Sequence, residues 1–388
     1  EDRVPGVWRP AVQGAFHKYV VITADVARMS FLLKWTLQCH QHVMLQGHTG
    51  CGKSTIVQHT LTQLDTARFA QLDAYLTQDT TTNALHQIIL STLEKRQRNT
   101  YGAVGSRPSL LLVVDDLSAP AMTEFNSQPT LELLRQVLEY KFMADLTHSG
   151  SGAHKNIVGL QMLAMLAPPG GARSLPSSRL VSKAVMLNMN VPEDAHLRRM
   201  FRTIMTAHFM GFEETVRALA PVIISATVDL HRAISAELLP TPATPHYVLT
   251  VRDMASVVRG LLRTDPKHTD TKEALARVWA HECLRVYGDR LVSDSHRATL
   301  QRLLTNVASD PRGLDLPANK IFTASGVITF SDLLSDDSTA QGSGLEQDSS
   351  RGLGEPDRMP CVDVTHRLPQ IKDYFTQRLA EFNTDPTK

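Results

Sequence analysis

The sequence predicts an α/β fold, a parallel sheet with helices on both faces, followed by an all-helical part. Three observations carry this. Short apolar runs alternate with amphipathic stretches from about residue 20 to about 210, the pattern of strands joined by crossover helices. One strand–helix junction reads Gly47-His48-Thr49-Gly50-Cys51-Gly52-Lys53-Ser54-Thr55 and fits G-x-x-x-x-G-K-[ST] at every fixed position. Beyond residue 210 strand candidates disappear and helical periodicity takes over. We therefore expect an α/β core over residues 1–210 and a helical subdomain over 211–388.

Composition narrows the classes. The 388 residues can bury a sizeable core, in two or three domains or subdomains, and 42% of them are hydrophobic. Forty basic against 39 acidic residues give a formal net charge of +1, which argues against a dedicated nucleic-acid or anionic-membrane surface. Cys39, Cys51, Cys283 and Cys361 lie far apart, so neither a disulfide framework nor a zinc knuckle is expected and a reducing compartment fits. No apolar run approaches the roughly 18 residues of a membrane span. Glu1-Asp2-Arg3 resembles neither a signal peptide nor an initiator, and a piece of a longer chain is expected.

Taken in order, residues 1–19, with Pro5, Pro10 and Gly14, read as an entering arm. Thr23-Ala24-Asp25 supplies cap residues for a helix whose apolar face holds Val26, Met29, Leu32, Leu33 and Leu37. Residues 41–46 form a buried strand before the glycine-rich loop, and Ile56, Val57, Leu61 and Leu64 face the helix after it inward. A strand at 69–76, a helix at 80–93 and a loop or hairpin at 94–108 follow. Residues 109–114 are a buried strand ending in Asp115-Asp116. A helix at 129–143, a Ser/Gly/His turn through His154, strands at 157–166 and 183–189, and a helix at 192–208 complete the core. The helical part reads as helices at 213–239, 252–262, 271–292 and 295–307. Residues 335–357, rich in Ser, Gly, Asp and Gln, read as a mobile insertion, and a helix at 369–382 closes the chain.

The loop carries the chemistry. Glycines at 47, 50 and 52 let successive backbone N–H groups curl around a phosphate chain, with Cys51 and Thr55 in the same cradle. Lys53 reaches the terminal phosphates, Ser54 offers its hydroxyl to Mg²⁺, and the following helix points its partly positive end at them. The expected ligand is ATP or ADP with Mg²⁺. An apolar strand ending in two acids about sixty residues later supplies Asp115 for the metal. Asp116 stands where many such ATPases place a glutamate that polarises the attacking water, one methylene short. Arg179 and Arg252 are candidates to offset charge on the transferring phosphoryl group, although spacing alone reads each first as a surface arginine. Other patterns fail. Cys39-x-x-His42 lacks a second ligand pair, His281-Glu282 lacks the second histidine of a zincin, and no G-x-S-x-G elbow occurs.

Several longer motifs resemble one family, the dynein heavy chains, and within it the third of six AAA+ modules, of axonemal type. They are Val113-Val114-Asp115-Asp116-Leu117-Ser118-Ala119-Pro120, the run from Gln128 to Gln136, Met165-Leu166-Ala167-Pro168-Pro169-Gly170-Gly171-Ala172-Arg173, Val251-Arg252-Asp253, and Trp279-Ala280-His281-Glu282 before Arg285-Val286-Tyr287-Gly288-Asp289-Arg290-Leu291. The resemblance implies an AAA+ P-loop NTPase core followed by an α-helical lid, acting as a nucleotide-binding regulatory module. It would gate a microtubule motor whose main hydrolysis lies elsewhere in the ring. It implies adjacent AAA+ modules of the same heavy chain as partners, microtubules gripped through a stalk outside this segment, and intermediate and light chains elsewhere in the complex. No nucleic acid and no membrane are expected, and the place would be the cytoskeleton of a cilium or flagellum. By matching position Arg252 is the lid's sensor arginine and Arg179 the finger offered to a neighbour's site, although the family's R-F-L-R reads Arg179-Leu180-Val181-Ser182 here. Ala167 falls where active sites place a polar sensor, which with Asp116 implies slow hydrolysis. The rival reading is a self-standing P-loop ATPase or small-molecule kinase, which needs a substrate acid or base that the sequence does not show.

Overall fold

The computed structural model describes residues 16, 19–144, 154–170, 173–311, 313–322, 328–331 and 362–384. Most of the expected arm, the turn before His154 and the insertion at 335–357 lie outside them. The chain divides into two compact units, Ile22–Pro192 and a second made of Glu193–Lys388 with Glu1–Val21.

In the first unit, α1 (Ala24–Gln38) starts where the Thr23 hydroxyl accepts the Val26 N–H, as its cap residue predicts. Then follow β1 (Val43–Gly47), α2 (Lys53–Thr62), β2 (Phe69–Tyr75) and α3 (Thr82–Ser91), the last capped by Thr81. The basic run expected as a loop or hairpin is a hairpin, β3 (Leu93–Gln97) with β4 (Thr100–Ala103). It closes tightly because Gly102 leaves room for the Arg96 guanidinium, which donates to the Arg107 carbonyl at 2.8 Å. β5 (Ser109–Asp115) and α4 (Pro129–Tyr140) come next.

Two expectations need correcting here. The helix predicted to reach 143 stops at Lys141, whose φ of 56° is left-handed, and the chain turns into β6 (Phe142–Ala144). The strand predicted over 157–166 is two strands, β7 (His154–Ile157) and β8 (Leu160–Leu166), broken at Gly159. Gly159 has φ 77°, and a β-carbon there would run into the Pro108 carbonyl. The unit ends with α5 (Ser178–Val181) and β9 (Val185–Met189).

The main sheet has strand order β2-β5-β8-β1-β9, all parallel, and β3, β4, β7 and β6 make a second small sheet. Side chains alternate across the main sheet, so one strand feeds two cores. Val43, Leu45, Leu111, Val113, Leu163 and Met165 face α1 and α2, where Leu33, Leu37, Ile56 and Val57 meet them. Met44, Leu112, Val114, Met162, Ala164 and Leu166 face α3 and α4, packing on Leu85, Ile89, Leu131 and Leu134. Each fully buried aliphatic side chain contributes about 1.5–3 kcal/mol. His42 ties β1 to β8, its Nδ1 accepting the Met162 N–H at 3.2 Å, and burial beside Lys141 lowers its pKa.

In the second unit, α6 (Asp194–His208) packs its apolar face of Leu197, Phe201, Ile204 and Met205 into the helical core. That is why the division falls at residue 192/193, whereas the change of pattern in the sequence lies near 210. α7 (Glu214–Glu237) is long and apolar enough to cross a membrane by length and composition. Over half of its most apolar window, 56%, is nevertheless buried, with Ile223, Ile224 and Leu230 in this core. α8 (Val251–Leu261) opens with a capping box between Thr250 and Asp253.

α9 (Lys272–Cys283) is shorter than the helix predicted over 271–292, because Leu284–Gly288 winds as a π turn. α10 (Asp294–Ala308) and α11 (Ala318–Ile321) follow. A two-residue ribbon of β10 (Phe330–Ser331) and β11 (Val362–Asp363) corrects the expectation that strands vanish here. Pieces that short leave no periodicity to read. α12 (Leu368–Thr384) is the expected closing helix.

Buried polar groups pin this core. Trp279 Nε1 donates to Thr227 Oγ1 at 2.9 Å, His231 Nδ1 lies 3.2 Å from the Tyr287 hydroxyl, and Glu282 accepts from Arg285 at 2.6 Å. His208 sits among Phe209, Phe212 and Thr264, and burial lowers its pKa to about 4. The folded unit therefore keeps His208 neutral while the unfolded chain protonates near 6.5. Its stabilising share is present above pH 6.5 and is lost as pH falls towards 4, amounting to at most about 3 kcal/mol. Unfolding of the second unit followed across this window should show the loss, and His208→Leu should flatten the profile.

Candidate nucleotide site

β1 ends in Gly47, and here the need is for space: a β-carbon would lie 2.5 Å from the Met189 carbonyl oxygen on β9 and 2.9 Å from Cys51 Sγ. Gly50 and Gly52 have φ of 83° and 96°, left-handed values that glycine adopts without strain. Cys51 is buried beneath the loop. α2 begins at Lys53 with Gly52 as its cap, a residue with no side chain to occupy the first N–H groups, so these remain to bind an anion. Lys53 Nζ donates to the carbonyls of Gly47 at 2.8 Å and His48 at 2.9 Å, which holds the ammonium against the first residues of the loop. Ser54 is exposed on the first turn and Thr55 is half-buried behind it.

Parallel register brings the second anchor to the same sheet edge. β8 lies between β1 and β5, so β1 and β5 are about 10 Å apart at the usual strand spacing. Gln46 pairs with Leu166 and Val114 with Ala164, so Gly47, Ala167 and Asp115 leave the sheet at one end. Asp115 Oδ1 accepts the N–H of Asp116 at 2.9 Å, which orients the carboxylate. Asp116 itself is exposed with φ 51°, a left-handed position that Asp adopts more readily than most residues. Leu117 N–H then returns to the Met165 carbonyl at 2.9 Å. Ala167, between the two anchors, is buried and offers no side-chain hydrogen bond. Glycines that clear a backbone cradle, an ammonium, an exposed hydroxyl and an oriented carboxylate fit a nucleoside polyphosphate with a divalent cation.

The arginines fall in different places. Arg179 is exposed on α5, whose ties run to α4: Leu180 is buried in that core, Ser177 reaches Glu132 at 3.4 Å and Lys183 pairs with Glu139 at 3.0 Å. Arg252 is exposed at the second position of α8 in the helical unit. The arginine that touches the loop is one to which sequence reasoning gave no role. Arg173 Nη1 lies 3.3 Å from Thr49 Oγ1 across 124 residues of chain. No spacing rule points to it; only its place at the end of the Pro168-to-Arg173 motif marked that stretch.

Comparison with known proteins agrees with this geometry. A family model of the P-loop containing dynein motor region matches residues 8–192, and one of the dynein heavy chain ATPase lid domain matches residues 200–297. Dynein axonemal heavy chain 2 of Homo sapiens is 35% identical over 292 residues, covering 75% of this chain and 6% of its own length. Dynein-1-beta heavy chain, flagellar inner arm I1 complex, of Chlamydomonas reinhardtii is 33% identical over 304 residues, covering 78% and 7%. Dynein axonemal heavy chain 6 of Homo sapiens is 31% identical over 300 residues, covering 77% and 7%. The chain thus spans less than a tenth of the length of these relatives.

The tight approach at Gly47 makes one substitution diagnostic. Gly47→Ala should destabilise the first unit by about 1–3 kcal/mol, because the methyl meets backbone that cannot give way. Denaturant unfolding of the variant measures it, and an unchanged midpoint would show that β9 yields.

Proposed function

The chain belongs to the dynein heavy chain family, as a P-loop motor region with its ATPase lid, and on that premise we propose that it is the third AAA+ module of an axonemal heavy chain. In this reading it binds ATP or ADP and regulates a microtubule motor while hydrolysing slowly itself. Its partners are the adjacent modules of the same heavy chain, with intermediate and light chains and a microtubule-binding stalk outside this segment, and its place is the ciliary or flagellar axoneme. Lys53, the loop N–H groups and the start of α2 hold the phosphates, while Ser54 and Asp115 would hold Mg²⁺. Arg252 is the lid's nucleotide sensor, and Arg179 is offered to a neighbouring module's nucleotide.

The observation that supports regulation over turnover is the pairing of Ala167 with Asp116. A water in line with the terminal phosphate needs a base on one side and a polar group on the other. Asp116 is about one methylene shorter than the usual glutamate, roughly 1.5 Å, and Ala167 cannot donate or accept from its side chain. Misplacement on that scale costs on the order of a hundredfold in rate and leaves the phosphate cradle untouched.

Two measurements test this reading. Lys53→Ala should weaken Mg-ATP and Mg-ADP binding by at least tenfold, since a charge-assisted contact is lost; unchanged titrations would remove the nucleotide assignment. Single-turnover hydrolysis by the wild-type chain should run well below about 10 per second, the enzyme median. A rate at that level would show that Asp116 suffices and that the module is an engine in its own right.

A further inference from the structure

Arg173 has a geometry that the roles assigned so far do not use. The segment that carries it is tied on both sides of the site. The Ser174 N–H bonds the Ser118 carbonyl at 3.2 Å, three residues beyond Asp115, and the Arg173 guanidinium reaches Thr49 in the phosphate loop at 3.3 Å. On the neighbouring loop residue, the His48 carbonyl accepts from Lys53 Nζ at 2.9 Å. Two cations are thus drawn to adjacent residues, His48 and Thr49.

In a P-loop the backbone nearest the helix cradles the inner phosphates, while the lysine serves the terminal ones. Lys53 is bonded to the carbonyls of Gly47 and His48, which marks the first residues of the loop as the terminal-phosphate end. Arg173 stands at that end. Like charges directed to neighbouring residues repel, and a terminal phosphoryl group, with more charge than the end of a diphosphate, relieves the repulsion. Thr49 engages one nitrogen of a guanidinium that has five donors in a planar fork, leaving others for phosphate oxygens.

We propose that Arg173 is the residue by which this site tells a nucleoside triphosphate from a diphosphate, contacting the terminal phosphoryl group from the same chain beside Lys53. The inference rests on the nucleotide-binding reading above.

The test is equilibrium titration of the whole chain with Mg-ADP and with a non-hydrolysable Mg-ATP analogue. Arg173→Gln should weaken the triphosphate roughly ten- to a hundredfold while the diphosphate moves by no more than about twofold, as expected for loss of a charge-assisted contact to one phosphoryl group. Arg173→Lys, which keeps the charge and loses the fork, should fall between wild type and Arg173→Gln. Equal losses for both nucleotides would show that Arg173 only braces the loop, and no loss for either would show that it is a bystander; each overturns the proposal while leaving the site a nucleotide site. Should Arg173→Gln not fold, Arg173→Lys decides by the same comparison. A wild-type chain that binds neither nucleotide would overturn the nucleotide reading itself and this inference with it.

Discussion

A carbonyl oxygen on β9 governs the start of the phosphate loop. With the Met189 oxygen 2.5 Å from where a β-carbon on Gly47 would sit, the chain leaving β1 must be bare. That closeness follows from β1 being paired on both edges, to β8 from Val43 to Gln46 and to β9 from Val43 to Gly47. A strand so enclosed has no freedom in register, because a slip of one residue would exchange the two buried faces. Val43 and Leu45 would then leave the α1–α2 core, and Met44 the α3–α4 core. The same register sets β5 beside β8 and delivers Asp115 to the edge where Gly47 emerges. Packing in the sheet interior therefore places both anchors of the site.

Much of this was legible because doubly buried strands read as unbroken apolar runs. Residues 109–114 have no other explanation in a folded chain, and Thr23 announces its helix by chemistry that needs no tertiary context. Features set by distant contacts were not legible. Lys141 ends α4 without a glycine, β6 and β7 find each other only once the fold exists, and β10 with β11 is too short to have a period. Arg173 is the clearest case: its partner is 124 residues away, and a lone arginine in a Pro- and Gly-rich loop looks like any surface cation.

The motifs that made the family recognisable in the helical unit turn out to be largely architectural. Trp279 is fully buried and bonded to Thr227, and Glu282 is buried against Arg285. Glu282 fits only because Gly260 on α8 has no β-carbon to meet its carboxylate. Asp253 both closes the capping box of α8 and pairs with Arg290 at 2.6 Å. Removing Arg285 would leave the buried Glu282 carboxylate without its counter-charge, which is destabilising. Resemblance over this stretch is therefore evidence of a shared packing scheme, whereas Arg252 beside these residues is exposed.

Binding and turnover rest on different kinds of atoms in this site. The cradle is built from backbone: glycines that clear it, N–H groups of the first turn of α2, and carbonyls that hold Lys53. Backbone placed by a buried sheet cannot drift without cost to the fold. The proposed weakness in turnover rests instead on two side chains at strand ends, the exposed Asp116 and the buried Ala167. The left-handed turn at residue 116, φ 51°, is one that Asp enters more readily than a longer acid. Local geometry and the slow turnover proposed here thus favour the same residue. On the reading proposed above, such a site keeps its affinity while its rate falls, and a slow nucleotide cycle would let a bound state report on a faster neighbour.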